Sequence, residues 1–263
     1  MANSKILFVT SEAYPLIKTG GLGDVAGSLP VALKAQRNDV RVIMPAYRDA
    51  MRKAEKLGFV SFQIDGVPDT VRLLEGRLPG TSVKLLLVDS PAHFDRPGGP
   101  YCDPDGHDWA DNAERFATFC RVVTAVALNK AALDWQPDVV HCNDWQSGLV
   151  PALLAPHPNR PATIFTIHNL AYHGFFDSSK FQSLNLPHYL WGMQGLEFHG
   201  GLSFIKGGLI FADMISTVSP TYAEEIRTPH FGHGLDGLLN HRADRLQGIL
   251  NGIDYKQWNP AND

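Results

Sequence analysis

The sequence predicts an α/β fold: a mostly parallel sheet with helices on both faces. Three observations carry that prediction. Short apolar runs alternate with longer stretches of helical periodicity along the 263 residues. The residues that directly follow the apolar runs are polar, ionisable or turn-forming. No Ser/Gly linker, internal repeat or low-complexity tract divides the chain, so residues 1–263 read as one domain. Strand, helix, strand in repetition gives parallel pairing, and such a sheet is buried on both faces.

Each element has its own warrant. Ile6–Thr10 is brief, β-branched and aromatic, as a buried strand should be, and Ser11 and Glu12 end it. Gly23–Ala35 repeats Val25, Leu29, Ala32 and Leu33 at helical spacing. Val40–Met44 is the next strand, stopped by Pro45. Phe59–Ile64, Val71–Leu78 and Val83–Val88 are strand-like, with Gly66-Val-Pro68 and Pro79-Gly80 as turns between them. They form a β-rich excursion near residues 59–88 that returns to the main sheet. Pro91–Asp111 is a Gly- and Pro-rich loop, long enough to suggest a function. Asn112–Lys130 is the clearest helix, with Phe116, Phe119, Cys120, Val123 and Ala127 on one face. Strand Val139–Cys142, helix Gln146–Leu154 and strand Thr163–Ile167 follow. His168 to about Leu202 is polar, aromatic and Gly-rich. Helix Ser203–Ala212 and strand Met214–Val218 come next. Ser219 then caps a helix with Pro220 in its first position. Leu246–Leu250 is the last strand, ended by Asn251-Gly252.

Composition narrows the function. Hydrophobic residues make up 44% and charged residues 19%, enough for a core and too little charge for disorder. Lys+Arg is 23 and Asp+Glu is 27, a net charge of −4 with no basic block, which argues against nucleic acid as a partner. Val122–Leu128 is among the longest apolar runs, far short of the ~20 residues of a membrane span. Cys102, Cys120 and Cys142 are widely spaced and form no CxxC pair, so neither a disulfide framework nor a zinc site is indicated. The first apolar run starts at Ile6, leaving no room for a leader peptide, and the expected location is the cytoplasm of a bacterium.

Ligands of open parallel sheets bind beyond the C-terminal ends of the strands. The residues there are Ser11-Glu12, Pro45, Asp89, Asn143-Asp144-Trp145, His168-Asn169, Ser219 and Asn251. Turn and cap chemistry accounts for Ser219 and Asn251, but not for Asn143-Asp144-Trp145 or His168-Asn169. Lys18-Thr-Gly-Gly-Leu-Gly-Asp24 carries glycines that open a helix, where backbone N–H groups favour an anion, and a lysine suited to phosphate. Gly21-x-Gly23-x-x-Ala26 fits the dinucleotide fingerprint formally. Ten residues separate it from Thr10, however, and no acidic residue ends the second strand, so a nicotinamide or flavin enzyme is disfavoured. No Gly-Lys pair exists for a Walker loop, and no Gly-x-Ser-x-Gly for a hydrolase elbow. Asp103-Pro-Asp105 has the look of a metal-holding Asp-x-Asp, but its Gly/Pro loop favours a solvated acidic turn. His230 and His233 lack the glutamate of a zinc-peptidase helix and read as loop histidines.

Taken in order, the motifs resemble the bacterial glycogen (starch) synthases over essentially the whole chain. They are Ser11-Glu-x-Tyr14-Pro15, Lys18-Thr-Gly-Gly-Leu-Gly-Asp24-Val and Gly99-Pro-Tyr101. Asp111-Asn112, Arg115-Phe116, Val140-His-Cys-Asn-Asp144-Trp145 and Thr166-Ile-His168-Asn169-Leu-Ala-Tyr172 continue the series. Ser203-Phe-Ile-Lys206-Gly207-Gly208, Ser216–Glu225 and Leu250-Asn-Gly-Ile-Asp254 with Trp258 complete it.

The resemblance implies the N-terminal, acceptor-side Rossmann-like half of a GT-B glycosyltransferase. Its expected reaction is retaining transfer of glucose from ADP-glucose to an α-1,4-glucan or maltooligosaccharide acceptor, without a metal or other cofactor. It implies Lys18 near the donor phosphates with Gly20 and Gly21 giving backbone access, and Asp24 ordering that loop. His168 would position the donor glucose, with Asn169 beside it and Asp144 in the active site. Tyr101, Asp103, Asn112 and Trp145 would belong to the acceptor side. Asn143 departs from the family, many members of which carry a second histidine there. The C-terminal nucleotide-binding domain of the family is expected to be absent from these 263 residues, leaving them inactive alone. Two alternatives stand beside this: a stand-alone glucan-binding or regulatory module, and another sugar-nucleotide transferase of the same fold.

Overall fold

The computed structural model describes residues 3–60, 67 and 70–253. Its first half runs β1 (Lys5–Val9), α1 (Gly21–Ala35), β2 (Asp39–Pro45), α2 (Arg48–Lys53), β3 (Glu55–Val60), β4 (Arg72–Arg77), β5 (Lys84–Asp89), α3 (Pro91–Phe94) and α4 (Asn112–Ala127). The central part adds β6 (Val139–Asn143), α5 (Leu149–Leu154), β7 (Ala162–Ile167), β8 (Phe175–Phe176), α6 (Ser179–Ser183), β9 (Glu197–Phe198) and β10 (Gly201–Ser203). The last part is α7 (Phe204–Phe211), β11 (Met214–Thr217), α8 (Pro220–Glu225), α9 (Asp236–His241) and β12 (Leu246–Gly248).

Among the described residues, nine strands form one sheet in the order β12-β11-β7-β6-β1-β2-β5-β4-β3. Pairing is parallel from β12 to β5, and antiparallel for β5–β4 and β4–β3. This is the expected α/β class, with the β-rich excursion forming one edge. From β1 the chain first builds outward through β2 and β5, then returns to lay β6 on the other side of β1. Ile6 thus pairs with Val40 on one flank and Val139 on the other. Such a reversal leaves a crevice beyond the strand ends, between Val9 and Cys142.

The sheet centre is dry: Leu7, Phe8, Val9, Val40, Val42, Val140 and Cys142 are fully buried. α4 buries Phe116, Phe119, Val122 and Val123 against it. α5 and α7 meet at backbone distance, since a Cβ on Gly148 would lie 2.1 Å from the Phe204 carbonyl oxygen.

Several boundaries differ from the sequence reading. α1 begins at Gly21, two residues before the expected start, because the Gly20-Gly21 pair is its first turn. The Gln146–Leu154 helix is split into a 3-10 turn, Trp145–Ser147, and α5. The Pro91–Asp111 loop opens with α3. β12 stops at Gly248, whose backbone packs on Ser219 and Pro220. The His168–Leu202 region holds α6 and a three-stranded sheet, β8-β10-β9. Strands of two or three residues are too short to leave a period in the sequence. Ser219 does cap α8, its Oγ accepting from Tyr222 N at 2.9 Å. Residues 61–64 of the expected Phe59–Ile64 strand, the turn residues Gly66 and Pro68, and the motif residues Asp254 and Trp258 lie outside the described residues. No helix among the described residues is long and apolar enough to cross a membrane.

Candidate active site

A cavity of about 660 Å³ sits beyond the C-terminal ends of β1, β6, β7 and β11. The post-strand segments line it: Glu12 after β1, Asp144, Trp145 and Gln146 after β6, His168 and Asn169 after β7, and Val218 after β11. Thr19, Gly20, Gly21 and Leu22 from the start of α1 form another wall, and Tyr101, Cys102 and Asp108 a third.

Glu12 anchors the glycine loop. The residue is 3% exposed, and its carboxylate receives four hydrogen bonds. Thr19 Oγ1 and Tyr101 OH donate to Oε1 at 2.6 Å each, Thr19 N donates to Oε2 at 2.5 Å, and Gly20 N does so at 3.3 Å. Ser11 Oγ is 2.7 Å from the Tyr101 hydroxyl, which has given its own proton to Glu12. The Tyr101 hydroxyl is therefore spent on the scaffold, and burial beside Glu12 holds it well above the usual phenol range. Beyond the clamp, the N–H groups of Gly21 and Leu22 meet no protein acceptor among the described residues. A 15-residue helix with free N–H groups at its start favours an anion.

Lys18 stands outside this wall. Its Nζ is 2.6 Å from Asp24 Oδ2, both side chains are 38% exposed, and neither residue lines the cavity. A Cβ on Gly23 would meet Lys18 Cγ at 2.9 Å, so the lysine stem lies across the first turn of α1. An ion pair this exposed contributes about 0–1 kcal/mol, little enough for a stronger anion to displace Asp24.

The β6 and β7 loops are laced together. Asp144 N donates to the Thr166 carbonyl at 3.0 Å, and Asp144 Oδ1 accepts from His168 N at 2.7 Å. Asp144 has φ 54° and ψ 179°, a region that glycine enters and other residues avoid. Burial pushes its carboxyl up to about 7, against the pull of the His168 and Asn169 amides. Burial pushes the His168 imidazole down to about 4, so the ring is neutral at neutral pH. His141, one turn of the pleat away, is likewise held at about 4 and bonds Thr166 Oγ1 at 2.7 Å.

Trp145 is 8% exposed, wedged among Phe116, Phe176 and Phe204, with Gly174 leaving room for its ring. It still lines the cavity. Asn112 is buried behind the wall, donating to the Tyr101 carbonyl at 3.0 Å and accepting from Arg115 at 2.6 Å. Asp103 closes its own turn by accepting from the Asp105 and His107 amides at 3.0 and 2.9 Å. Of the residues expected from the sequence, Gly20, Gly21, Tyr101, Asp144, Trp145, His168 and Asn169 share the cavity. Lys18, Asp24, Asp103 and Asn112 support its walls from behind or outside. The clamp role of Glu12 was not legible, because its partners lie seven, eight and 89 residues away. Its one signal was an acidic residue just past the end of the first apolar strand.

An open, mostly parallel sheet with a polar crevice at its switch point defines a Rossmann-like α/β domain. The chain belongs to the family of the starch synthase catalytic domain, whose pattern matches residues 5–241. It is 62% identical to a glycogen synthase of Thioalkalivibrio sulfidiphilus over 98% of this chain and 54% of that protein. Identity to glycogen synthase 1 of Methylococcus capsulatus is 59%, over 98% of this chain and 52% of the relative. The catalytic domain of starch synthase IV from Arabidopsis thaliana, solved with ADP and acarbose, superposes with a TM-score of 0.84 at 30% identity. That match covers 100% of this chain and 54% of the plant chain. The chain thus spans about half the length of the curated relatives it matches.

Proposed function

We propose that residues 1–263 form the acceptor-side domain of a retaining glucosyltransferase that extends α-1,4-glucan from ADP-glucose. The observation that carries this reading is the single cavity shared by the Gly20-Gly21 helix start, Asp144, His168 and Asn169. The names of the relatives, and the ADP and acarbose held by the plant starch synthase, favour an adenosine diphosphate leaving group and a glucan acceptor.

In this proposal the Gly21 and Leu22 amides and the α1 dipole take the donor diphosphate, and Lys18 exchanges Asp24 for it. Charge on the leaving group is then met by groups already in place. His168 and Asn169 orient the donor glucose, and Asp144 holds the His168 backbone. The acceptor hydroxyl attacks the anomeric carbon as its bond to the diphosphate breaks, and the hydroxyl proton passes to the departing phosphate oxygen. Tyr101 and the Trp145 edge wall the acceptor side, with Asn112 and Asp103 shaping the loop behind them. No step calls for a metal. A nucleotide-binding, Rossmann-like partner domain closes the other side of the crevice, and the cytoplasm is the proposed location.

The test joins this chain to the nucleotide-binding half of a relative and follows labelled glucose into maltooligosaccharide. ADP-glucose should serve better than UDP-glucose, and His168→Ala should lower turnover at least about 100-fold, as for loss of a positioning group in a preorganised site. Near-normal turnover of that variant would remove the sugar-positioning role.

A further inference from the structure

Asn143 is fully buried at the C-terminal end of β6. Its Nδ2 donates to the Val9 carbonyl of β1 at 2.9 Å and to the His141 carbonyl at 3.3 Å. Both partners are acceptors only, which fixes the nitrogen end of the amide there. The end facing His168 Nε2, at 2.9 Å, is therefore Oδ1. An amide oxygen cannot donate, so the proton in that contact belongs to the histidine. With Nε2–H given to Asn143 and the ring neutral, Nδ1 carries a lone pair. Nδ1 has no protein partner among the described residues, nor is it among the sealed, unpartnered polar atoms. His168 borders both the main cavity and a smaller one of about 210 Å³ beneath it.

We propose that Asn143 is a positioning residue that locks His168 as the Nε2–H tautomer and so presents Nδ1 to the ligand as a hydrogen-bond acceptor. A purely structural Asn143 would need only its two Nδ2 bonds, which already tie β1 to β6. The third bond selects what His168 can recognise: a hydroxyl that donates, rather than a carbonyl or phosphate oxygen that accepts. That the hydroxyl belongs to a sugar rests on the function proposed above. The tautomer does not.

Nitrogen-15 spectra of the 263-residue chain at pH 7 test the lock. The His168 Nε2 should resonate as a protonated nitrogen and Nδ1 as an unprotonated one, with a slowly exchanging Nε2–H proton in the spectrum. A proton on Nδ1 overturns the proposal without any variant. Free imidazole already favours Nε2–H, so the decisive comparison is Asn143→Ala, in which the slow Nε2–H signal should vanish. Its persistence in a folded variant also overturns the proposal. Asn143→Asp puts an oxygen opposite the Val9 and His141 carbonyls, so its buried carboxyl keeps a proton to donate there and still offers Nε2 an acceptor; the slow Nε2–H signal should survive in Asn143→Asp. His141 and Asp144 are the neighbouring titrating groups, and their signals serve as internal controls. In the completed transferase, Asn143→Asp should keep at least about tenfold more turnover than Asn143→Ala, a rescue by the retained acceptor; equal loss in both variants would overturn the positioning role. A supported tautomer with no glucose transfer would instead count against the proposed reaction.

Discussion

At the scale of single residues, Asp144 concentrates the conflict between stability and site chemistry. Its backbone sits at φ 54°, ψ 179°, which costs a non-glycine residue about 1–3 kcal/mol. The carboxyl is buried and lifted to about 7, another departure from what folding favours. Both penalties put Oδ1 onto the His168 amide. Two variants separate them. Asp144→Ala removes the carboxyl and keeps the strained backbone, whereas Asp144→Gly removes both. Thermal melts should rank Asp144→Gly above Asp144→Ala by about 1 kcal/mol or more, while the completed enzyme loses activity with either. Equal melting points would show that the backbone at this position is not strained.

At the scale of elements, the glycines at the starts of α1 and α5, Gly21 and Gly148, have opposite reasons. A Cβ on Gly148 would lie 2.1 Å from the Phe204 carbonyl oxygen, so α5 and α7 pack only because that side chain is missing. Gly148→Ala should cost about 1–3 kcal/mol in chemical denaturation, as overpacked cores do. A Cβ on Gly21 would meet nothing within 4 Å, and the residue has no positive φ. Neither packing nor backbone asks for glycine there; the space faces the cavity. Gly21→Ala should therefore leave the melting point unchanged or raise it, yet lift KM for the sugar nucleotide in the completed enzyme. Loss of stability instead would assign this glycine to the fold. The sequence made such distinctions only partly readable. Strand and helix positions, the mostly parallel sheet and the polar residues at strand ends followed from local periodicity and from the rule for open sheets, whereas the strand order came only with the fold. His168 and Asp144 stood out because no cap or turn explained them. What joins them did not stand out: the Asn143–His168 bond spans 25 residues, and the Glu12–Tyr101 bond spans 89. The Lys18–Asp24 pair likewise needed coordinates, because a sequence shows a lysine without its counter-ion. The short strands β8, β9 and β10 exist by tertiary pairing alone.

At the scale of the whole molecule, the buried titrating groups give stability a definite pH dependence. His141 and His168 are held at about 4, below the ordinary 6.5, so their contribution is complete above pH 6.5 and is lost as pH falls through 4. Asp144, raised to about 7, contributes the opposite way: its share is complete below the ordinary carboxylate value and is lost as pH rises to 7. Between pH 4 and 6.5 the unfolded chain gains two histidine protons against one that the folded Asp144 retains. These three groups together give a slope of about 1.4 kcal/mol per pH unit in favour of higher pH, and His93 and His173, also lowered by burial, act in the same direction. Melting temperature should climb from pH 4.5 to 6.5 and level off near 7; a flat profile would contradict the burial of the two imidazoles. The site itself argues a further outcome for the chain on its own. Its cavity is open, and in the proposed reaction the free amides of Gly21 and Leu22 would meet the donor diphosphate from one side only. Ile249, Leu250 and Ile253, at 56%, 73% and 58% exposure, lie bare beside the smaller cavity under His168. With one wall, water competes for every contact to the leaving group, and the charge stabilisation that preorganised dipoles give in a closed site is mostly screened. The proposed acceptor side needs less closure, because Trp145, Tyr101 and polar loop groups already line it. The purified 263 residues should therefore melt cooperatively and bind maltooligosaccharide weakly in titration calorimetry, yet incorporate almost no labelled glucose from ADP-glucose. Adding the nucleotide-binding half should restore transfer. Ready incorporation by the chain alone would mean that one wall suffices, and that the second half is not needed to exclude water.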